Sequence, residues 1–449
     1  MQKPSDLTTA PIPALIRQIA IPASIGFFFN TMYNVVDTYF AGLISTQVLA
    51  ALSLSFPVFF LIIAMGNGFA TGTTALIGAA LGASNEKEAQ SYAVQGLTFG
   101  IIVGLLLTAV GLSASPFIFR LLGASDAYLQ DCLLYMNTIF AGAVFFLVIY
   151  MLNAILNAQG NTRTFRNFLI VAFFLNVGLD PWFIYGGAGV PAMGIRGVAI
   201  ATVLIHIIGS VYLAIRVYQT GLLSGVKWRA AIPQFKPFKD IAYQGFPSSL
   251  NYMTIALGIF VITYFLSNFG KEAVAAYGVA IRIEQIALLP TIGLNIATLS
   301  IVAQNYGAAF FDRMILTLKQ SLKYGAVVSG IGTVCVFVFG KYLMTLFTDD
   351  ARVIQMGTTY LKIDAFVLYA YVVLFVNVST LQGMKRPMFA LVIGVYRQIL
   401  APFAVFYLLA YVLKLEVLGI WWGIFVVTWS AAVIAFFYTR RVLRPWMPT

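Results

Sequence analysis

Charged residues are scarce: Asp, Glu, Lys and Arg together make up 9% of the 449 residues, where a soluble globular domain carries roughly a quarter. That deficit excludes an ordinary soluble protein. Histidine occurs once and cysteine twice. Cys132 and Cys335 lie in or beside apolar segments with no partner in a neighbouring loop, so the sequence supports neither a disulfide framework nor a metal site. A catalytic metal would need a carboxylate cage that the acid spacings do not supply. His206 stands alone in an apolar helix and reads as a packed structural side chain. No G-x-x-x-x-G-K-[ST] phosphate loop is present, so no ATP-driven pump is indicated. No catalytic constellation emerges either, and the chain is expected to be neither an enzyme nor a carrier of a cofactor. Met1–Pro13 lacks the basic region, short apolar core and small-residue cleavage site of a signal peptide, so the first apolar segment is expected to be retained.

What the chain has instead is apolar length: 61% of its residues are hydrophobic. Segments long enough to cross a bilayer, which takes about 20 helical residues, fall near 14–42, 48–80, 92–113, 127–157, 165–187, 195–218, 238–267, 273–303, 316–340, 351–381, 387–412 and 417–439. The expectation is an all-α polytopic membrane protein of twelve transmembrane helices. The net charge of +12 is distributed by side rather than gathered for nucleic acid. With the N-terminus in the cytoplasm, Lys3, Arg17, Lys87, Arg163, Arg166, Arg216, the linker cations Lys227, Arg229, Lys236 and Lys239, and Arg313, Lys319, Lys323, Lys385, Arg386, Arg440, Arg441 and Arg444 lie inside. Arg120, Arg196, Lys271, Lys341, Arg352 and Lys414 lie outside, an asymmetry of about three to one in line with the positive-inside rule. Both termini are then cytoplasmic.

Shifting the sequence by 225 positions aligns it with itself, placing Pro22 on Pro247, Ser24 on Ser249, Gly68 on Gly293, Thr73 on Thr298 and Gly82 on Gly307. A slightly smaller offset carries Gly160 onto Gly383 and Pro181 onto Pro402. With six helices in each half, both halves start on the same side, which makes them parallel repeats about an axis along the membrane normal. The expected division is an N-terminal lobe over 1–220, a cytoplasmic linker over 221–237 and a C-terminal lobe over 238–449, enclosing a cleft. Pro22, inside the first helix, removes a backbone hydrogen bond and permits a kink. Because Pro247 shares the feature, a packing kink and a mobile hinge are both open.

The repeat breaks at two acids. Asp37 falls on Ile262 and Asp180 on Ala401, so two intramembrane carboxylates belong to the first half alone. Each costs about 2.5–3.5 kcal/mol on insertion scales if placed at the bilayer centre. At about 1.5 Å per helical residue, Asp37, Asp180 and Thr202 all lie roughly 8–10 Å below the outer surface. Asn176 precedes Asp180 by one helical turn, as Tyr33 and Asn34 precede Asp37. These six residues form a candidate polar pocket in which partial desolvation and a neighbouring carboxylate allow an aspartate to gain and lose a proton. The plain alternative is that the neighbours satisfy both acids and only fix helix packing.

The second half carries Arg282, Glu284, Lys362, Asp364 and Arg397 at mid-depth. Opposite charges buried at one depth are expected to pair. The expectation is an internal ion-pair cluster, with a second ion or substrate site centred on Glu284 or Asp364 as the alternative.

Several segments together resemble the multidrug and toxic compound extrusion (MATE) transporters over essentially the whole chain. They are Ile19 to Gly42 (IAIPASIGFFFNTMYNVVDTYFAG), Gly66 to Gly82, and Leu175 to Tyr185 (LNVGLDPWFIY), with Gly160 and Gly383 in matching loops. In detail the chain looks like the DinF-like branch, whose aspartate on helix 1, asparagine and aspartate on helix 5 and threonine on helix 6 match Asp37, Asn176, Asp180 and Thr202. The resemblance implies export of cationic and amphipathic xenobiotics in exchange for protons, or in some members sodium, by alternating access. It also links protonation at Asp37 to bending near Pro22. The NorM-like branch places its cation-binding acids in the second half, where Glu284 and Asp364 stand. The expectation is an inner (plasma) membrane antiporter that works as a monomer, with small molecules and the lipid bilayer as partners and no nucleic acid. A lipid-linked saccharide flippase of the same superfamily is the rival, and fourteen helices or a strongly cationic cleft would favour it.

Overall fold

Apolar segments in hydrocarbon must satisfy every backbone amide and carbonyl internally, which a helix does within one segment. The computed structural model describes residues 6–447, so Lys3 lies outside the described residues. Among the described residues there is no β-strand, only an isolated bridge between Gly187 and Val190. The first half runs α1 (Ile12–Ile44), α2 (Thr46–Gly82), α3 (Glu86–Leu121), α4 (Asp126–Ala141), α5 (Ala143–Ala158), α6 (Thr162–Tyr185) and α7 (Ile195–Gln219). The second runs α8 (Phe235–Ser267), α9 (Lys271–Gly307), α10 (Phe311–Thr345), α11 (Ala351–Asp364), α12 (Leu368–Gly383), α13 (Met388–Val412) and α14 (Glu416–Leu443).

Ten of these helices are long and apolar enough to cross a membrane alone, and up to twelve spans result if each bent pair counts as one. The expected spans 127–157 and 351–381 are those pairs: α4 and α5 meet at a 47° bend, α11 and α12 at 51°. A bend frees carbonyls from the helical ladder, and a hydroxyl takes one in each repeat. Thr108 Oγ1 donates to the Phe140 carbonyl at 2.6 Å, and Thr333 Oγ1 donates to the Ala365 carbonyl at 2.6 Å. Large apolar side chains such as Leu105, Leu106 and Phe117 on α3, and Val334 and Val338 on α10, are exposed. In a membrane protein such a surface meets acyl chains rather than water.

Packing divides the chain into two compact units, one of residues 1–24 with 250–449, the other of residues 25–249. The sequence suggested lobes at 1–220 and 238–449. The packing boundary instead falls within α1 and α8, two residues after Pro22 and Pro247. Within the 25–249 unit, a Cβ on Gly68 would lie 2.2 Å from the Ser249 amide nitrogen; within the other, a Cβ on Gly293 would lie 2.2 Å from Ser24 Oγ. These are repeat-equivalent contacts, so glycine permits the same close helix approach twice.

The segments leading into α1 and α8 are each held by side chains of their own unit. Gln95 on α3, fully buried, donates to the carbonyls of Ala230 and Ile232 at 2.6 and 2.8 Å and accepts from the Gln234 amide at 2.9 Å. That pins the linker, with its short 3-10 turn at Trp228–Ala231, onto the bundle. In the other unit, Asn305 Nδ2 donates to the Leu7 carbonyl at 3.0 Å, and Arg313 Nη2 donates to the Ala10 carbonyl at 2.7 Å.

Candidate ion site and internal cavity

In the 25–249 unit, the i, i+4 spacing on α6 sets Asn176 and Asp180 on one face, and α1 brings Asp37 against it. Asn176 Nδ2 donates to Asp37 Oδ1 at 2.8 Å and to Asp180 Oδ1 at 3.0 Å. One amide nitrogen therefore bridges two carboxylates. Asn176 and Asp180 are 0% exposed and Asp37 is 7% exposed. Among the described residues no lysine or arginine pairs with either acid. Four buried oxygens around the bridge, Tyr33 Oη, Asn176 Oδ1, Asp180 Oδ2 and Thr202 Oγ1, make no hydrogen bond of good geometry among the described residues. Thr202 on α7 and Tyr33 on α1 are both buried.

Asn34 does not join this group. It is exposed, and its amide donates to the Asn30 carbonyl of its own helix at 2.9 Å. Pro22 is buried within α1, which stays continuous through it. Tyr135 on α4 was not singled out by the sequence, yet it is buried and close enough to interact electrostatically with both Asp37 and Asp180. No local spacing ties α4 to α1 and α6, so only the tertiary packing brings it there. His206 stacks on Phe146 with ring centroids 3.8 Å apart, and its Nδ1 lies 2.7 Å from the Thr202 carbonyl.

The second-half cluster is not the expected ion-pair network. Arg282 and Lys362 are exposed, whereas Glu284 and Asp364 are buried. Among the described residues none of Arg282, Lys362 and Arg397 forms an ion pair. The physical reason is helical spacing: Arg282 and Glu284, like Lys362 and Asp364, are two residues apart and point to different sides of their helices. Glu284 instead accepts from Tyr360 Oη at 2.6 Å. It lines a cavity of about 180 Å³ together with Tyr277, Tyr360, Tyr371, Phe375 and Arg397. Tyr360 lies four residues before Asp364 on α11, a same-face spacing that the sequence displayed. Arg397 sits in a π-helical turn, Tyr396–Leu400, a feature frequent at functional sites.

Duplicated membrane-spanning bundles, one of which buries an acid pair bridged by an asparagine at positions that the other fills with Ile262 and Ala401, have the build of a polytopic membrane transporter. The chain belongs to the MatE family, whose model matches residues 22–182 and 247–413, stretches that begin at the repeat-equivalent Pro22 and Pro247. It is 27% identical over 389 residues to the Bacillus subtilis (strain 168) protein named "Probable multidrug resistance protein YoeA", covering 85% of this chain and 83% of that one. It is 27% identical over 400 residues to a Shewanella oneidensis "FAD transporter", covering 88% and 87%. Among solved structures, a MOP superfamily transporter from Pyrococcus furiosus Vc1 superposes with a TM-score of 0.93 at 25% identity over 100% of both chains. An outward-facing multidrug resistance MATE family transporter gives 0.92 at 25% identity, covering 99% and 98%.

Proposed function

We propose that this protein is an ion-coupled antiporter of the DinF-like branch that exports cationic and amphipathic small molecules by alternating access, with the coupling ion bound at Asp37 and Asp180. The observation that carries this reading is the Asn176 bridge. Two carboxylates share one neutral amide, pair with no lysine or arginine among the described residues, and stand at positions that the other repeat fills with Ile262 and Ala401. Buried charge of one sign requires a partner, and here the natural partner is a cation arriving from outside the protein.

In the proposed cycle the outward-open form takes up protons at the acid pair. The pocket rearranges with α1, and substrate bound after inward proton release leaves outward. A ligand shifts such an equilibrium only through different affinities for its two states, so ion and substrate must favour different states. The unpartnered Asn176 Oδ1, Asp180 Oδ2 and Thr202 Oγ1 support a second reading with sodium as the ion, since hard cations take oxygen ligands. Names of relatives that include multidrug resistance and export support a drug-like substrate range. Ten to twelve spans do not favour the lipid-linked saccharide flippase. The lysine and arginine asymmetry supports a plasma-membrane protein with both termini cytoplasmic, acting as a monomer.

Ethidium or norfloxacin efflux from proteoliposomes under separately imposed proton and sodium gradients tests this reading. We expect efflux driven by the proton gradient alone. Efflux driven only by sodium would select the second reading, and efflux indifferent to both gradients would remove ion coupling altogether.

A further inference from the structure

The cavity in the unit formed by residues 1–24 and 250–449 carries charges of both signs that interact across it without forming an ion pair among the described residues. Glu284 lines it at 6% exposure, fixed by Tyr360. Asp364 is 1% exposed, lies one helical turn from Tyr360 and beside Glu284, and among the described residues neither of its carboxylate oxygens makes a hydrogen bond of good geometry. Arg397 lines the same cavity and makes no hydrogen bond or ion pair among the described residues. Its guanidinium carbon lies 5.3 Å from the Tyr371 ring centroid and 5.8 Å from that of Phe375. Aromatic faces hold the cation in place but leave the N–H donors of its fork unmet. Buried charges are normally paired and hydrogen-bonded. Here a carboxylate and a guanidinium each offer an open polar side to the same cavity.

We propose that this cavity binds an aromatic zwitterion of amino-acid size, its ammonium group at Glu284 and its carboxylate on the Arg397 fork. The aromatic class follows from the wall, where Tyr277, Tyr371 and Phe375 supply ring faces and edges beside the two charged ends. The size follows from the volume: a cavity of about 150 Å³ is enough to hold benzene, and 180 Å³ leaves room for a short chain beyond the ring. The planar guanidinium suits bidentate carboxylate recognition. The negative end, with Asp364 behind Glu284, suits an ammonium.

Calorimetric titration of the purified full-length protein with L-phenylalanine, phenethylamine and 3-phenylpropionate tests the assignment. It reads equilibrium binding, so its outcome is separate from that of the export reading. We expect saturable binding of phenylalanine, with each single-charge analogue weaker by about tenfold or more. Arg397→Gln should weaken phenylalanine by about the same factor and leave phenethylamine unchanged, and Glu284→Gln should weaken phenylalanine and leave 3-phenylpropionate unchanged. Phenethylamine binding as tightly as phenylalanine would overturn the proposal in favour of a simple cation cavity. Absence of saturable phenylalanine binding to the wild-type protein would also overturn it. The ligand series uses the wild-type protein alone and so decides the matter even if a variant misfolds.

Discussion

Asp37→Asn should abolish gradient-driven efflux while leaving the protein folded and in the membrane. Asparagine has nearly the volume of aspartate and keeps an oxygen that can accept from Asn176 Nδ2, the contact now made at 2.8 Å. The packing loss is therefore small, below about 1.5 kcal/mol for a volume-conserving change. What disappears is the carboxylate proposed to bind the coupling ion. If ion and substrate are coupled by the usual 1–3 kcal/mol, the loss corresponds to roughly 5–150-fold in the affinity that one ligand confers on the other. Efflux into an imposed gradient should fall to the leak rate, with expression and melting temperature close to wild type. Cells carrying the variant should lose resistance to the exported drug. A variant that exported normally would place the coupling charge elsewhere, with Glu284 the next candidate.

Asn176→Leu should have the largest effect on stability. The amide nitrogen that bridges Asp37 and Asp180 disappears, and leucine fills the space so that water cannot easily replace it. A lost hydrogen bond is worth about 0.5–1.5 kcal/mol to a neutral partner and about 1.5–3 kcal/mol to a charged one, so with one acid of the pair charged the two together amount to roughly 2–4.5 kcal/mol. The purified variant should melt several degrees lower and should not export. Adding Asp37→Asn to Asn176→Leu should recover part of the loss, because one of the two stranded acids is gone. The two substitutions should therefore be non-additive by about 1 kcal/mol or more. Additive effects, or a wild-type melting temperature for Asn176→Leu, would mean that the bridge does not hold the pair.

Much of this site was legible in the sequence because depth and helical spacing are local properties. Asn176 and Asp180 share a face by their i, i+4 spacing, and Asp37 lies at the same depth. The self-alignment marked both acids as exceptions to the repeat. Asn34 shows the limit of that reasoning. Three residues from Asp37, it has a plausible spacing, but its side chain turns back to its own helix. The second-half cluster failed for a reason that was also local: residues two apart cannot both face inward, which left Arg282 and Lys362 outside. The bends at α4–α5 and α11–α12 escaped because an apolar run looks the same whether straight or broken. Thr108 and Thr333, which take the freed carbonyls, are repeat equivalents and were the available signal. Tyr135 and the packing boundaries within α1 and α8 depend on contacts between distant segments, which periodicity does not record.

The proposed cycle requires that substrate binding be coupled to ion release from the Asp37–Asn176–Asp180 site. It is tested most directly by adding ethidium to the purified protein in weakly buffered detergent solution and following proton release, with and without sodium. Wild type should release protons as ethidium binds, and the Asp37→Asn/Asp180→Asn variant should bind ethidium and release none. Equal proton release from both proteins, or none from either with no effect of sodium on binding, would contradict the account.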